Sequence, residues 1–275
     1  MEMLHSTFIH ALGVTLIDSL WQFAILWLAY VACQFVLKLS SSQKYSLALF
    51  TSLAGFVWFI STFFYHLTND ATELYLIAPP SGNYTHLSDT SNYLLPALSF
   101  IYIGLLILHG IKWGYSYKQV VRIRKKGLSK IPVEWRLFVN ELSQHLSIKK
   151  NVRIYLSALV NTPMTVGYLK PLILIPVASL NSLTKEQMEA VILHELAHIK
   201  RLDYLFNIIL SIAEAVLFFN PFMHLLSYDV KKEREHCCDD LVLQFQYNPT
   251  TYAQALLNIA ITTSHYSPSF ALADD

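Results

Sequence analysis

Charge is scarce in this chain. Only 14% of its 275 residues are Asp, Glu, Lys or Arg, against about a quarter in soluble domains. A water-facing surface for the whole polypeptide is hard to assemble from so few charges. Hydrophobic residues make up 54%, aromatics 13%, and mean hydropathy is +0.39, so a bilayer is the natural sink for the surplus. Cysteine is nearly absent too. Cys33, Cys237 and Cys238 make no disulfide framework, and without a CxxC pair there is no thiolate zinc signature. The N-terminus lacks the Lys/Arg segment of a cleavable signal peptide, so the first apolar run is expected to stay in the mature protein. Net charge is only +1, which argues against direct nucleic-acid binding through overall basicity.

What is present begins with three long apolar runs, about 8–37, 47–67 and 93–113, each meeting the roughly 20 residues a bilayer core requires. They define an expected membrane domain over 1–114. Asp18 interrupts the first run and is a candidate for function or helix pairing, because charge inside a membrane is costly. Lys38 and Lys44 make the first link basic, whereas residues 66–92 contain no Lys or Arg but hold Asp70, Glu73 and Asp89. Lys112, Lys118, Arg122, Arg124, Lys125 and Lys126 follow the third run. Positive charge inside then puts the N-terminus and the long loop outside and everything after Trp113 in the cytoplasm. The expected location is a bacterial inner membrane, crossed several times.

From residue 115 to 275 the composition is that of a mixed α/β domain, giving an α+β chain with a membrane part. Residues 132–146 carry Trp135, Phe138, Val139 and Leu142 at helical spacing, and 152–156 alternate as a strand. Residues 165–176 read as one or two strands, with Gly167 and Lys170-Pro171 as turn or edge signals. Thr184-Lys-Glu-Gln187 fits a capping box that opens a helix running past residue 198. Asn220-Pro221 is a second start signal, for a helix to about Phe245.

Inside the first of these helices lies His194-Glu195-Leu196-Ala197-His198. Spacing of four stacks both imidazoles on one face, where they can share an ion, and Glu195 can act as base toward a water there. The apolar neighbours Val191, Ile192 and Leu193 would bury the helix. Catalytic zinc usually takes three protein ligands. Glu235 is the best third ligand, in Glu233-Arg-Glu-His-Cys-Cys-Asp239, with Glu233, His236 and His224 as alternatives. Asp239 shares the helix face of Glu235 and can bond a ligand histidine. Asp203 could orient an imidazole, Asn220 could line the site, and their plainer readings are a helix-end carboxylate and a helix cap. Cys237 and Cys238 read as small buried residues.

HELAHIKRLD (194–203), FFNPF (218–222), EREHCCDDLVL (233–243) and TVGYLKPLILIP (165–176) together resemble the BlaR/MecR family of membrane-bound antirepressor metallopeptidases. The resemblance extends over nearly the whole chain, three membrane helices included. It implies a gluzincin fold with Zn2+ on His194, His198 and Glu235, Glu195 as catalytic base, and cleavage of a cytoplasmic repressor or of the protein itself. It also implies an edge strand at Thr165, Val166, Gly167 and Tyr168, along which a protein substrate would lie extended. Family sensors continue into another membrane helix and an extracellular domain, and no penicillin-binding Ser-x-x-Lys domain follows here, so the inducing signal is unnamed. Two other readings stand beside this one: a quality-control membrane peptidase, and a non-enzymatic transducer with a structural zinc. An intact Glu195 speaks against the last, because a structural site needs no base. Oligomeric state is left open.

Residues 204–219 are apolar enough to suggest a fourth span. A crossing there would put Glu235 on the opposite side from His194 and His198. The segment is also short and holds Asn207 and Glu214, so it is expected to be buried or to lie against the membrane.

Overall fold

The computed structural model describes residues 2–69, 85–245 and 247–266. The acidic part of the loop at 70–84 and the chain end from 267 lie outside the described residues. Contacts divide the chain into two compact units, Met1–Gly114 with Ile209–Glu233, and Tyr115–Ile208 with Arg234–Asp275. The first boundary falls after Gly114, and the later segment 209–233 groups with the first unit.

The first unit begins with α1 (Glu2–Val36), α2 (Ser41–Thr68) and, as far as Gly114, α3 (Thr85–Lys125). Phe8–Val36, Ser41–Thr68 and Tyr93–Lys125 are long and apolar enough to cross a membrane, so the first expected run matches closely, the second starts earlier and the third continues to Lys125. That earlier start has a local cause: the Ser40 side chain accepts from Gln43 N–H while Gln43 reaches back to Ser40 N–H, a capping box. Small residues let the helices approach. A Cβ on Gly55 would stand 2.5 Å from the Phe23 ring of α1, and one on Gly13 would stand 2.8 Å from Leu95 O of α3. Polar groups are paired within and across the helices. Asp18 Oδ2 meets His66 Nε2 at 3.0 Å, Trp21 Nε1 donates to Asp18 Oδ1 at 3.1 Å, and Gln22 Nε2 donates to Thr62 Oγ1 at 2.9 Å. Asp18 thus serves helix pairing.

The second unit is built on a four-stranded sheet. β1 (Leu128–Ser129) is followed by α4 (Val133–His145), then by β2 (Arg153–Ser157), β3 (Met164–Val166) and β4 (Leu172–Pro176). Strand order is β1-β2-β4-β3, with β2 and β4 parallel and the two outer pairings antiparallel. β4 is buried on both faces, as alternation dictates for a covered strand. Ile173 and Ile175 join the main core, and Leu172 and Leu174 join a second cluster with Val160 and Val166. A short α5 (Ser179–Ser182) leads to α6 (Lys185–Arg201). Thr184 and Gln187 form the expected capping box. Ile192, Leu193 and Leu196 of α6 are fully buried, each stabilising the unit by about 1.5–3 kcal/mol.

α6 ends at Leu202, whose φ of 62° is left-handed without being glycine, a conformation costing roughly 1–2 kcal/mol. The chain turns there into α7 (Asp203–Val216), followed by α8 (Pro221–Gln244) and α9 (Pro249–Tyr266). Asn220 caps α8: its Oδ1 accepts from Phe222 N–H at 3.1 Å and Met223 N–H at 3.2 Å. α7 and α8 run antiparallel, since Glu214 meets Ser227 and Lys231, and Asn207 meets Arg234. At 14 residues, α7 is about 21 Å long, short of the roughly 30 Å of a bilayer core. The stretch 204–219 is therefore one arm of a returning hairpin. Its turn packs among the apolar helices: Asn220 Nδ2 donates to Ser19 O at 3.0 Å, Tyr102 Oη donates to Val216 O at 3.0 Å, and Trp27 meets Phe222.

Candidate metal centre

One turn of α6 brings His194 and His198 onto the same face, with their Nε2 atoms 3.2 Å apart. α8 delivers Glu235 Oε2 to 3.5 Å from His194 Nε2 and 3.6 Å from His198 Nε2. A tetrahedral ion about 2.1 Å from each donor requires donor spacings of about 3.4 Å. The three atoms fit that requirement, and two imidazoles with one carboxylate suit a borderline cation such as zinc.

Each donor is held from behind. His194 Nδ1 lies 3.2 Å from Asp239 Oδ1 and 2.8 Å from Tyr252 Oη, and Tyr252 Oη donates to Asp239 Oδ1 at 2.7 Å. His198 Nδ1 meets Asp203 Oδ2 at 2.8 Å and Cys238 Sγ at 3.3 Å. Acceptors at Nδ1 favour a proton there, which leaves Nε2 as the nitrogen to hold a shared ion once its own proton is displaced. Glu235 Oε1 accepts from Arg234 Nε at 3.2 Å and Nη2 at 3.1 Å, while Arg234 Nη1 donates to Asn207 Oδ1 at 3.1 Å. One Glu235 oxygen is thereby occupied and the other faces the imidazoles.

The electrostatics follow from these contacts. Burial works against protonation of His194, but bonds to Asp239 and Glu235 outweigh it and push the imidazole up to about 9. For His198 burial is likewise overcome, by Asp203, Cys238 and Glu235, and its value rises to about 12. Burial opposes ionisation of Glu235 too, yet bonds to both histidines hold its carboxyl below the usual range. Asp239 is lowered in the same sense by His194 and Tyr252.

Glu195 is 6% exposed and is held by the sheet. Thr165 Oγ1 donates to Glu195 Oε2 at 2.8 Å and also lies 3.3 Å from Glu195 O. β3, which carries Thr165, pairs with β4 on one side only. A cleft of about 470 Å³ opens beside this edge, lined among others by Thr165, Gly167, Tyr168, His194, Glu195 and Glu235. Gly167 has φ 92°, and a Cβ there would stand 3.2 Å from Lys170 O and from Arg124 Cζ, so the turn out of β3 requires glycine.

Of the residues singled out from sequence, His194, His198, Glu195, Glu235, Asp239, Asp203 and Thr165 are brought together, and Gly167 and Tyr168 line the same cleft. Val166 instead turns its side chain into the second core cluster, leaving only its backbone to the edge. Asn220 caps α8, the plainer of the two readings given for it. Among the alternatives for the third ligand, His224 bonds Phe218 O at 2.7 Å, and neither it, Glu233 nor His236 shares the donor cluster. Arg234, Tyr252 and the contact made by Cys238 were missed. For Tyr252 a signal existed: Asn248-Pro249 repeats the start signal seen at 220–221, and Asn248 Oδ1 accepts from Thr250 N–H at 2.9 Å.

Comparison with known proteins decides the lineage. A profile of the family described as BlaR1 peptidase M56 matches residues 16–274. The chain belongs to the BlaR1 peptidase M56 family. M56 proteins are of metallopeptidase type, and the three apolar helices accord with membrane proteins. The chain is 26% identical over 182 residues to the methicillin resistance mecR1 protein of Staphylococcus aureus, covering 65% of this chain and 30% of that protein. It is 31% identical over 130 residues to the regulatory protein BlaR1 of Bacillus licheniformis, 47% of this chain and 22% of the relative. For BlaR1 of Staphylococcus aureus the identity is 27% over 170 residues, 61% and 29% of the respective lengths. The chain thus spans under a third of the length of these M56 relatives.

Proposed function

We propose that this membrane protein is a zinc endopeptidase of gluzincin type that cleaves a cytoplasmic regulator, itself or both. The observation carrying this reading is the donor triangle of His194, His198 and Glu235 with Glu195 beside it, tied to an open strand edge. When bound, zinc supplies Lewis acidity, which lowers the pKa of water and polarises a carbonyl.

The chain's own residues do the rest. Unpaired backbone groups on the outer side of β3 align an extended substrate by strand addition. Glu195 takes the proton of the attacking water and passes it to the departing amine, a role typically contributing about 10²–10⁴-fold. Thr165 holds the Glu195 carboxylate for that transfer. Asp239 with Tyr252, and Asp203 with Cys238, fix the two imidazoles.

The test pairs metal content with cleavage in the membrane-embedded protein. Glu195→Gln is expected to keep one zinc per chain while cleavage falls by about 10²–10⁴-fold. Removing Glu235 or either histidine should lose zinc and cleavage together. Proteins whose length changes with the wild type but not with Glu195→Gln identify the substrate. Undiminished cleavage by Glu195→Gln would overturn the mechanism.

A further inference from the structure

The edge of the sheet opposite β3 carries a second, unrelated feature. β1 pairs with β2 only through Leu128↔Ser157 and Ser129↔Leu156. Beyond Ser129 the chain leaves the sheet, so Arg153 to Tyr155 have no strand on that side. Arg153 N–H donates to Pro171 O at 3.1 Å, on the β4 side, and alternation along the strand turns the Ile154 amide toward the gap.

A cavity of about 280 Å³ opens in this fork. Its lining includes Lys130, Arg153 and, from the first turns of α4, Arg136, with Asn151 and Tyr155 as further polar residues. No carboxylate lines it, and it shares no residue with the cleft at the metal centre. Among the described residues, none of the three cations makes an ion pair. Three like charges gathered without a counter-charge repel one another, and an anion would relieve that. The wider field has the same sign. Between residues 112 and 171 there are twelve Lys and Arg against two Glu, an excess of ten, while the whole chain carries +1.

We infer that this fork binds a phosphate-bearing anion, either free phosphate or the headgroup of an anionic phospholipid. Two guanidinium forks match phosphate oxygens pairwise and the Lys130 ammonium adds a point charge. The small volume favours such a group over a peptide, since sites for larger ligands start at about 300 Å³.

The test uses the full chain in phosphatidylcholine nanodiscs, wild type beside Lys130→Gln/Arg136→Gln/Arg153→Gln. Inorganic phosphate is titrated by calorimetry in one arm. In the other, phosphatidylglycerol is added to the discs and its retention by the released protein is measured by native mass spectrometry. Saturable phosphate binding weakened at least tenfold in the triple variant supports free phosphate. Phosphatidylglycerol kept by the wild type and lost by the variant supports the headgroup. If wild type and variant behave alike in both arms, the inference is wrong. Should the triple variant melt early, Arg153→Gln alone reads the same loss at smaller amplitude.

Discussion

Arg234 holds one oxygen of Glu235 with two of its nitrogens and reaches Asn207 on α7 with the third. A carboxylate fixed in this way offers a metal a single oxygen. Arg234→Met is expected to free Glu235 and to weaken zinc affinity about 10–100-fold, the usual scale for partners of metal ligands. Competition with a chelator of known affinity measures it, and an unchanged affinity would show that Arg234 only links the helices. Protons matter at the same scale. Before metal enters, His194 is held up to about 9 and His198 to about 12 by their acidic neighbours, so at pH 7 both imidazoles carry a proton that zinc must displace. Glu235, held low, has none to lose. Zinc binding at pH 7 should therefore release about two protons and weaken as pH falls. Calorimetry in buffers of different ionisation enthalpy counts them, and release near zero would contradict the account.

At the scale of elements, β3 is both an open sheet edge and the support of Glu195, the proposed base. Thr165→Val keeps the β-branched shape and removes the donor to Glu195, whereas Thr165→Ser keeps the donor. The valine variant should lose turnover by about tenfold or more, with zinc content and KM little changed, and serine should restore most of it. Equal turnover in both variants would reduce Thr165 to a strand residue. The capping box at 184–187, the turn glycine at 167 and the histidine spacing were legible because they are local. Thr184 and Gln187 bond each other within four residues, and His194 and His198 need only the helical period. The roles of Arg234 and Tyr252 were illegible for the opposite reason. Each acts on a residue whose nearness depends on how three helices return to one place; Asn248-Pro249 marks where the helix of Tyr252 starts but does not tell that side chain from a core aromatic. The grouping of 209–233 with the first unit was hidden in the same way. Apolar composition indicates burial but does not say against which neighbour.

For the whole molecule, the Lys/Arg asymmetry predicts which side of the membrane holds the metal centre. Ser129, at the end of β1, should be inaccessible from outside intact cells when replaced by cysteine, with Cys33, Cys237 and Cys238 first removed. A membrane-impermeant maleimide should label it only after the cells are opened. Labelling in intact cells would invert the arrangement, and the proposed cytoplasmic substrate would go with it.

The returning hairpin has a further consequence, which concerns helical phase. α8 is tied to α7 at Ser227 and again at Arg234, and Glu235 and Asp239 take their bearing from the turns between. One alanine inserted after Tyr228 would advance everything beyond it by about 100° and 1.5 Å, aiming Glu235 away from the imidazoles. Four inserted residues amount to about 400°, within roughly 40° of the starting angle but some 6 Å further along the axis. Zinc content across insertions of one to four residues should therefore collapse at one and two and recover in part near four. A smooth decline with length would mean that distance alone matters. In that reading the helix works as an indexed shaft, and its angular setting is a property no single side chain carries.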